Sequence, residues 1–530
     1  MRNNMKRLLL TCCVAAMALQ AEAGSYRNPI IPGYHPDPSI CRVGSDYYLV
    51  NSSFQYFPGV PVYHSTDLVN WQLIGNVLDR ASQLPLKGAS SWLGIYAPTL
   101  RYHDGVYYMI TTNVGNGGNF MVTATDPRGP WSEPVWLEQQ GIDPSLYFED
   151  GRCYMVSNPD NTITLCQIDP RTGRQLTPSI ALWQGTGGRY PEGPHIYKKD
   201  GYYYLLISEG GTELAHRLTI ARSRQIEGPY EANPQNPLLT HCSMAGQGSQ
   251  IQGTGHGDIV QATDGSWWVV FLAYRNFGGS YHHLGRETYL APVVWKQGEW
   301  PVVNGGQPVD TLMTVAGDVQ GDAAPRHIRT TFDRPLTPEW IFIQNPDSAH
   351  YRMAKGQLLL KAAPEGLTAN KRPTFVGRRQ EAAAVTAETR LTLSDDGEGL
   401  EAGLTVYQIN DGHADFYVTT AGQGAKKVEV RVTLKGLCAV TKSVGIGSRT
   451  DAADATLRVR SDGKKYFFDY ATDGNTFQTL DSLDCALLST EVVGGFTGMV
   501  IGMYAAGGPE GAEAAFDYFD YAEKVGENEK

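Results

Sequence analysis

The chain has 530 residues, which suits two or three domains, each with a sizeable core. With 29 Tyr, 10 Trp and only 19% charged residues, the composition excludes a disordered protein. A formal net charge of -11 without any long Lys/Arg cluster argues against a nucleic-acid partner, which needs a basic face, and fits a neutral or cationic ligand.

The first 23 residues carry Arg2, Lys6 and Arg7, then an apolar run from Leu8 to about Leu19, then Ala21-Glu22-Ala23. That order describes a cleavable secretory signal whose apolar run is too short for a permanent anchor, so a mature chain from about Gly24 and a periplasmic or secreted location are expected. No other segment is apolar enough for a membrane span. Of eight cysteines, Cys12 and Cys13 lie in the signal; the other six are scattered without CxxC spacing and support neither a zinc site nor a disulfide framework. Buried free thiols, with one bridge at most, are expected.

Five stretches then share a layout: DPSICRVGSDYYLV from Asp37, APTLRYHDGVYYMI from Ala97, DPSLYFEDGRCYMV from Asp143, EGPHIYKKDGYYYLL from Glu192 and HGDIVQATDGSWWVV from His256. Each reads as a β-hairpin. Four turns contain Asp-Gly (Asp104-Gly105, Asp150-Gly151, Asp200-Gly201, Asp264-Gly265), where Gly accepts positive φ. Starts 46 to 64 residues apart leave room for four antiparallel strands per unit, and five such sheets around an axis make a five-bladed β-propeller. The fold class expected is therefore all-β.

Under that rotation, the start of each innermost strand faces the axis. Asp37 and Asp143 align, Glu192 lies one residue earlier in its unit, His256 holds the position in the fifth, and Ala97 holds it in the second. Pro36 and Pro38 flank Asp37 and predict a stiff, extended presentation of its carboxylate. Converging carboxylates push one pKa upward, and glycosidic bond cleavage uses such a split between an acid and a base. Taken singly, each Asp-Pro-Ser could instead cap a turn.

The ordered set HPDPSI, IYAPTLRYHDGVYYMITT, IDPSLYFEDG, YPEGPHIYKKDGYYYL, GTGHGDIV and LGRET resembles glycoside hydrolase family 43 over residues 25 to 315. The resemblance extends to a C-terminal concanavalin-like β-sandwich, as in the family's β-xylosidases and α-L-arabinofuranosidases. It implies that Asp37 is the general base, Glu192 the general acid and Asp143 the residue that tunes and orients that acid. It also implies inversion by single displacement, with base and acid roughly 6.5 to 9.5 Å apart. Arg286 is implied to bind sugar hydroxyls, with a surface ion pair to Glu287 as its alternative. His256 is implied to lie near the axis, as a ligand of a structural calcium or as a core histidine; no cofactor is required. Phe54 and Tyr96 look like aromatic walls of the sugar site, and Phe496 in GGFTG resembles a loop that closes the pocket. Thr99 stands where many relatives carry an acid, which matches one subgroup. GNGGN at residues 115 to 119 lacks the context of a phosphate loop and is expected on the active-site rim.

Domain bounds follow: signal 1–23, propeller 24–316, linker 317–331, sandwich 332–524 and tail 525–530. The sandwich is read from period-two runs such as AVTAETRLTL, AGLTVYQI and KKYFFDYA between polar turns. The function expected is exo-acting release of a non-reducing terminal pentose, α-L-arabinofuranosyl or β-D-xylosyl, from hemicellulose-derived oligosaccharides. The alternatives are a glycan-binding propeller without catalysis and a retaining five-bladed β-fructosidase. A homo-oligomer is left open.

Overall fold

The computed structural model describes residues 23–242, 249–321, 324–394, 398–446 and 454–524. Residues 1–22 of the signal expected at 1–23, and the tail at 525–530, lie outside the described residues. The regular secondary structure is nearly all strand, with one four-residue α-helix, Thr490–Val493, and a few 3-10 turns among those residues. No described helix is long and apolar enough to cross a membrane.

The first half forms five antiparallel sheets of four or five strands, in chain order, plus a two-stranded pairing of Ala23–Arg27 with Leu312–Gly321. Their innermost strands are Ser39–Val43, Thr99–His103, Ile142–Glu149, Glu192–Lys199 and Ile251–Gln261. Each touches the next, and the fifth returns to the first, which closes a ring. The hairpin chemistry read from sequence is present in three turns: Asp104-Gly105, Asp150-Gly151 and Asp200-Gly201 all have positive φ at both residues, the twist that suits right-handed strands. Asp264 departs from this, because its Oδ1 accepts from the Ser266 backbone N–H and makes a different turn.

One buried ion pair ties the ring together at its axis. Asp258 accepts from Arg101 through both oxygens at 2.8 and 3.2 Å, from Ser39 Oγ at 2.8 Å and from the Tyr197 hydroxyl at 2.6 Å. Arg101 also donates to His195 Nδ1 at 2.9 Å. Four sheets therefore meet on one carboxylate, and Arg101 and the hydrogen bonds hold the Asp258 carboxyl well below the usual range although burial alone would raise it.

The second half has an eight-stranded and a six-stranded sheet enclosing an apolar core that includes Leu391, Leu404, Phe416, Phe468 and Phe516. Every period-two run named above is a strand. Leu437–Gly445 escaped that reading because it is an edge strand whose residues are nearly all exposed, with no alternation to detect. The stretch expected as a linker is strand at both ends: Leu312–Gly321 pairs with Ala23–Arg27, and His327–Thr330 pairs with the C-terminal strand Glu513–Glu523. A second apolar cluster, with Tyr34, Phe54, Tyr56, Phe375, Tyr407 and Tyr504, joins the halves. All six cysteines described are free, four buried but Cys242 and Cys438 exposed.

Replacing Arg101 by Met leaves the Asp258 charge buried without its partner, which costs roughly 3–5 kcal/mol. Denaturant unfolding should show that loss, and a change below about 1 kcal/mol would contradict a closing role for the pair.

Candidate active site

Asp37, Asp143, Gly193 and His256 have φ of 54°, 51°, 57° and 44°. Asp37, Asp143 and Gly193 lie near the starts of their innermost strands and His256 at an irregularity within Ile251–Gln261, so the repeat seen in sequence is also a repeat of backbone conformation. The left-handed turn corrects the extended presentation expected for Asp37. A short polar side chain tolerates this conformation, and a carboxylate so placed is aimed by its backbone. In the fourth unit glycine takes the strained position, and the acid comes from the residue before it, Glu192.

Asp37 is 5% exposed. Arg286 donates to its Oδ1 at 3.1 Å and Ser52 Oγ to its Oδ2 at 2.5 Å. Burial raises its pKa, but Arg286, His256 and the Ser52 bond together outweigh that and leave it below the ordinary value. Arg286 also donates to Thr212 Oγ1 at 3.0 Å and to the Phe496 carbonyl at 3.1 Å. It is not paired with Glu287, whose carboxylate holds Arg275 at 2.8 Å and the Gly33 N–H at 2.8 Å.

His256 Nδ1 stands 3.9 Å from Asp37 Oδ1 and 4.0 Å from Asp143 Oδ2, so one imidazole nitrogen faces both aspartates. Asp143 accepts from the Gly193 N–H at 3.1 Å. Its pKa is pushed up to about 6, first by burial and then by Asp37, against the lowering from His256 and Gly193. Glu192 is raised well above the ordinary carboxylate value, first by burial and then by the charges of Asp143 and Asp37. Burial and neighbouring charges thus disfavour the charge on Glu192 while Arg286 and Ser52 favour it on Asp37, an opposition of the kind that acid–base hydrolysis needs.

A cavity of about 710 Å³ contains all eight residues singled out in the sequence. Phe54, Tyr96 and Phe496 form one aromatic wall: Phe54 lies 5.1 Å from Tyr96 and 5.8 Å from Phe496, ring centre to ring centre. The Tyr96 hydroxyl donates to the Trp92 carbonyl at 2.8 Å. Phe496 comes from the second half and is seated by a close backbone crossing, where a Cβ on Gly498 would fall 2.1 Å from the Leu284 carbonyl oxygen. The sequence reading missed Ser52, Thr212, Trp92, Tyr190, Glu213 and His216, none of which stands in a repeated motif position. The GNGGN segment is not in the cavity wall; it turns beside Leu93 and Trp136.

The description Glycosyl hydrolases family 43 matches residues 26–301, and that of a β-xylosidase C-terminal concanavalin A-like domain matches residues 329–522. The chain belongs to glycosyl hydrolase family 43. It is 41% identical to a non-reducing end α-L-arabinofuranosidase of Bacteroides ovatus, over 98% of this chain and 99% of the relative. It is 39% identical to a xylosidase/arabinosidase of Butyrivibrio fibrisolvens, over 93% and 98%. A solved GH43B structure from Bacteroides ovatus superposes with a TM-score of 0.89 at 41% identity, covering 94% of this chain and all of that one. A xylan β-1,4-xylosidase from Bacillus halodurans gives 0.87 at 33%, with 94% and 100% covered.

Among family 43 features, the axial calcium can be tested against the donor set. Calcium takes about 6–8 oxygen ligands. The described residues contain no group of three or more His, Cys, Asp or Glu arranged for a metal. Asp258 already spends both oxygens on Arg101, Ser39 and Tyr197, and the His256 ring is wedged between carboxylates that hold Arg286 and Gly193. Among the described residues no acidic cluster offers itself to a calcium ion, and a guanidinium holds the axial carboxylate of Asp258.

The Asp143 charge is one of the causes that keep Glu192 protonated, so Asp143→Asn should lower the Glu192 pKa. The alkaline limb of the kcat/KM profile should then move to lower pH by roughly one unit or more. An unmoved limb, or one moved upward, would contradict the assignment.

Proposed function

We propose that the chain is a secreted, inverting exo-glycosidase that releases a non-reducing terminal pentose, with α-L-arabinofuranosyl preferred over β-D-xylosyl, from hemicellulose-derived oligosaccharides. The observation that carries this reading is the opposed acidity of Asp37 and Glu192 within one cavity. We read the ring of five sheets as a five-bladed β-propeller and the two-sheet half as a concanavalin-like sandwich. The two domains meet near residues 321–327, inside the stretch 317–331 expected as the linker.

Asp37, held by Arg286 and Ser52, is the general base. It takes a proton from one water as that oxygen attacks the anomeric carbon. Glu192, kept protonated by burial and by Asp143, gives its proton to the departing glycosidic oxygen as the bond breaks. Asp143 stays ionised and orients the strand start through Gly193. Arg286 presents its guanidinium edge to sugar hydroxyls beside the base. The fork is preorganised because Nη1 is tied to Asp37 and Thr212 and Nη2 to the Phe496 carbonyl, while Nε has no hydrogen-bond partner. The aromatic wall, closed by a residue from the sandwich, fits one terminal ring better than the middle of a polymer. The relatives named as arabinofuranosidase and xylosidase/arabinosidase support the pentose class.

The direct test is to assay 4-nitrophenyl α-L-arabinofuranoside and β-D-xylopyranoside side by side, with NMR of the first-formed anomer. Pentose release with inverted configuration is expected, fastest from the arabinofuranoside, and Asp37→Asn should lower kcat by roughly 100- to 10,000-fold. Retained configuration would favour a fructosidase-like double displacement. Dominant hexoside cleavage, or ligand binding with no turnover, would overturn the reading.

A further inference from the structure

His216 is a buried side chain that no motif marked. It follows the strand Tyr202–Glu209 and has no solvent exposure. Its Nδ1 lies 3.0 Å from the Gly253 carbonyl oxygen, which can only accept, so Nδ1 carries the hydrogen. Burial holds the ring neutral, with a pKa down to about 3. Nε2 is therefore a bare acceptor. It is fully buried, has no hydrogen-bond partner, and stands 3.7 Å from Glu192 Oε1. A neutral acceptor left without a donor inside a protein is costly unless a donor arrives.

The charged and titratable groups that face this corner are Asp37, Asp143, Glu213, Arg286 and His256. The contacts of Arg286 run instead to Asp37, Thr212 and the Phe496 carbonyl. Protonated Glu192 is the O–H beside Nε2. The GTGH motif also acquires a reason here. A Cβ on Gly255 would fall 2.4 Å from the His216 ring, and Gly253, with φ 64°, supplies the carbonyl that fixes the tautomer. Both glycines shape a seat for this imidazole.

We propose that His216 is a positioning residue for Glu192: its unprotonated Nε2 accepts a hydrogen bond from the carboxyl, favouring the protonated form that leaving-group departure consumes. The inference rests on the reading of Glu192 as the acid. The 3.7 Å separation is longer than a formed bond, and catalytic contacts tighten when substrate fills a site. The terminal carboxyl torsion is soft, so the protonated oxygen can turn from the imidazole to the glycosidic oxygen. Once Glu192 is ionised, the facing lone pair disfavours the charge and promotes reprotonation.

The test compares a 4-nitrophenyl pentoside, whose leaving group needs little protonation, with an unactivated pentose disaccharide. His216→Asn keeps an amide N–H for Gly253 but removes the Nε2 acceptor; His216→Phe fills the space without one. Both should lower kcat/KM on the disaccharide by roughly tenfold or more, several-fold more than on the aryl substrate, and move the alkaline limb to lower pH. Equal losses on both substrates with an unmoved limb would reduce His216 to packing and overturn the inference. Glu192→Gln is the control. If it shows the leaving-group dependence and His216→Asn does not, only the inference fails; if it shows none, the acid assignment fails and takes the inference with it.

Discussion

Three carboxylates that line one pit raise one another's pKa, so the charge of one of them is disfavoured. The site depends on how that conflict is divided. Asp37 receives Arg286 and Ser52 and stays ionised, whereas Glu192 has no cation of its own and faces Asp143 and a neutral imidazole. Its proton is the least costly way to remove one charge.

The fold creates the crowding and limits its consequences. Left-handed strand starts aim the side chains inward, and the ring brings together starts that lie far apart in the chain. Self-repulsion at the mouth of the axis is countered deeper in, where Arg101 and Asp258 bind four sheets to each other. The second half adds more than bulk. The Phe496 carbonyl anchors the same guanidinium that holds Asp37, and its ring completes the aromatic wall, so the second half sets both the shape of the pocket and the aim of Arg286.

Much of this was legible in the sequence because it repeats. The hairpins with Asp-Gly turns announced the sheets, and the aligned positions announced Asp37, Asp143, Glu192 and His256. The sandwich strands showed through alternation. What escaped had no periodicity to expose it. Pro36 and Pro38 suggested extended backbone at Asp37, because local sterics cannot reveal a left-handed turn fixed by distant hydrogen bonds. Glu287 appeared the natural partner of Arg286 by adjacency, yet Arg286 turns to Asp37 just before the strand begins, and Arg275 takes Glu287 instead. Ser52, Thr212 and His216 are isolated residues between motifs. The glycines of GTGH were the one trace of His216, visible only as an unexplained lack of side chains.

The central claim is that one proton is kept in the pit at neutral pH and that it belongs to Glu192. Infrared difference spectroscopy of the carboxyl stretch, wild type against Glu192→Gln at pH near 7, reads that proton without relying on turnover. A protonated carboxyl band present in the wild type and missing from the variant is the predicted result. A wild-type spectrum with only ionised carboxylates, or a band that survives the substitution unchanged, would contradict the account.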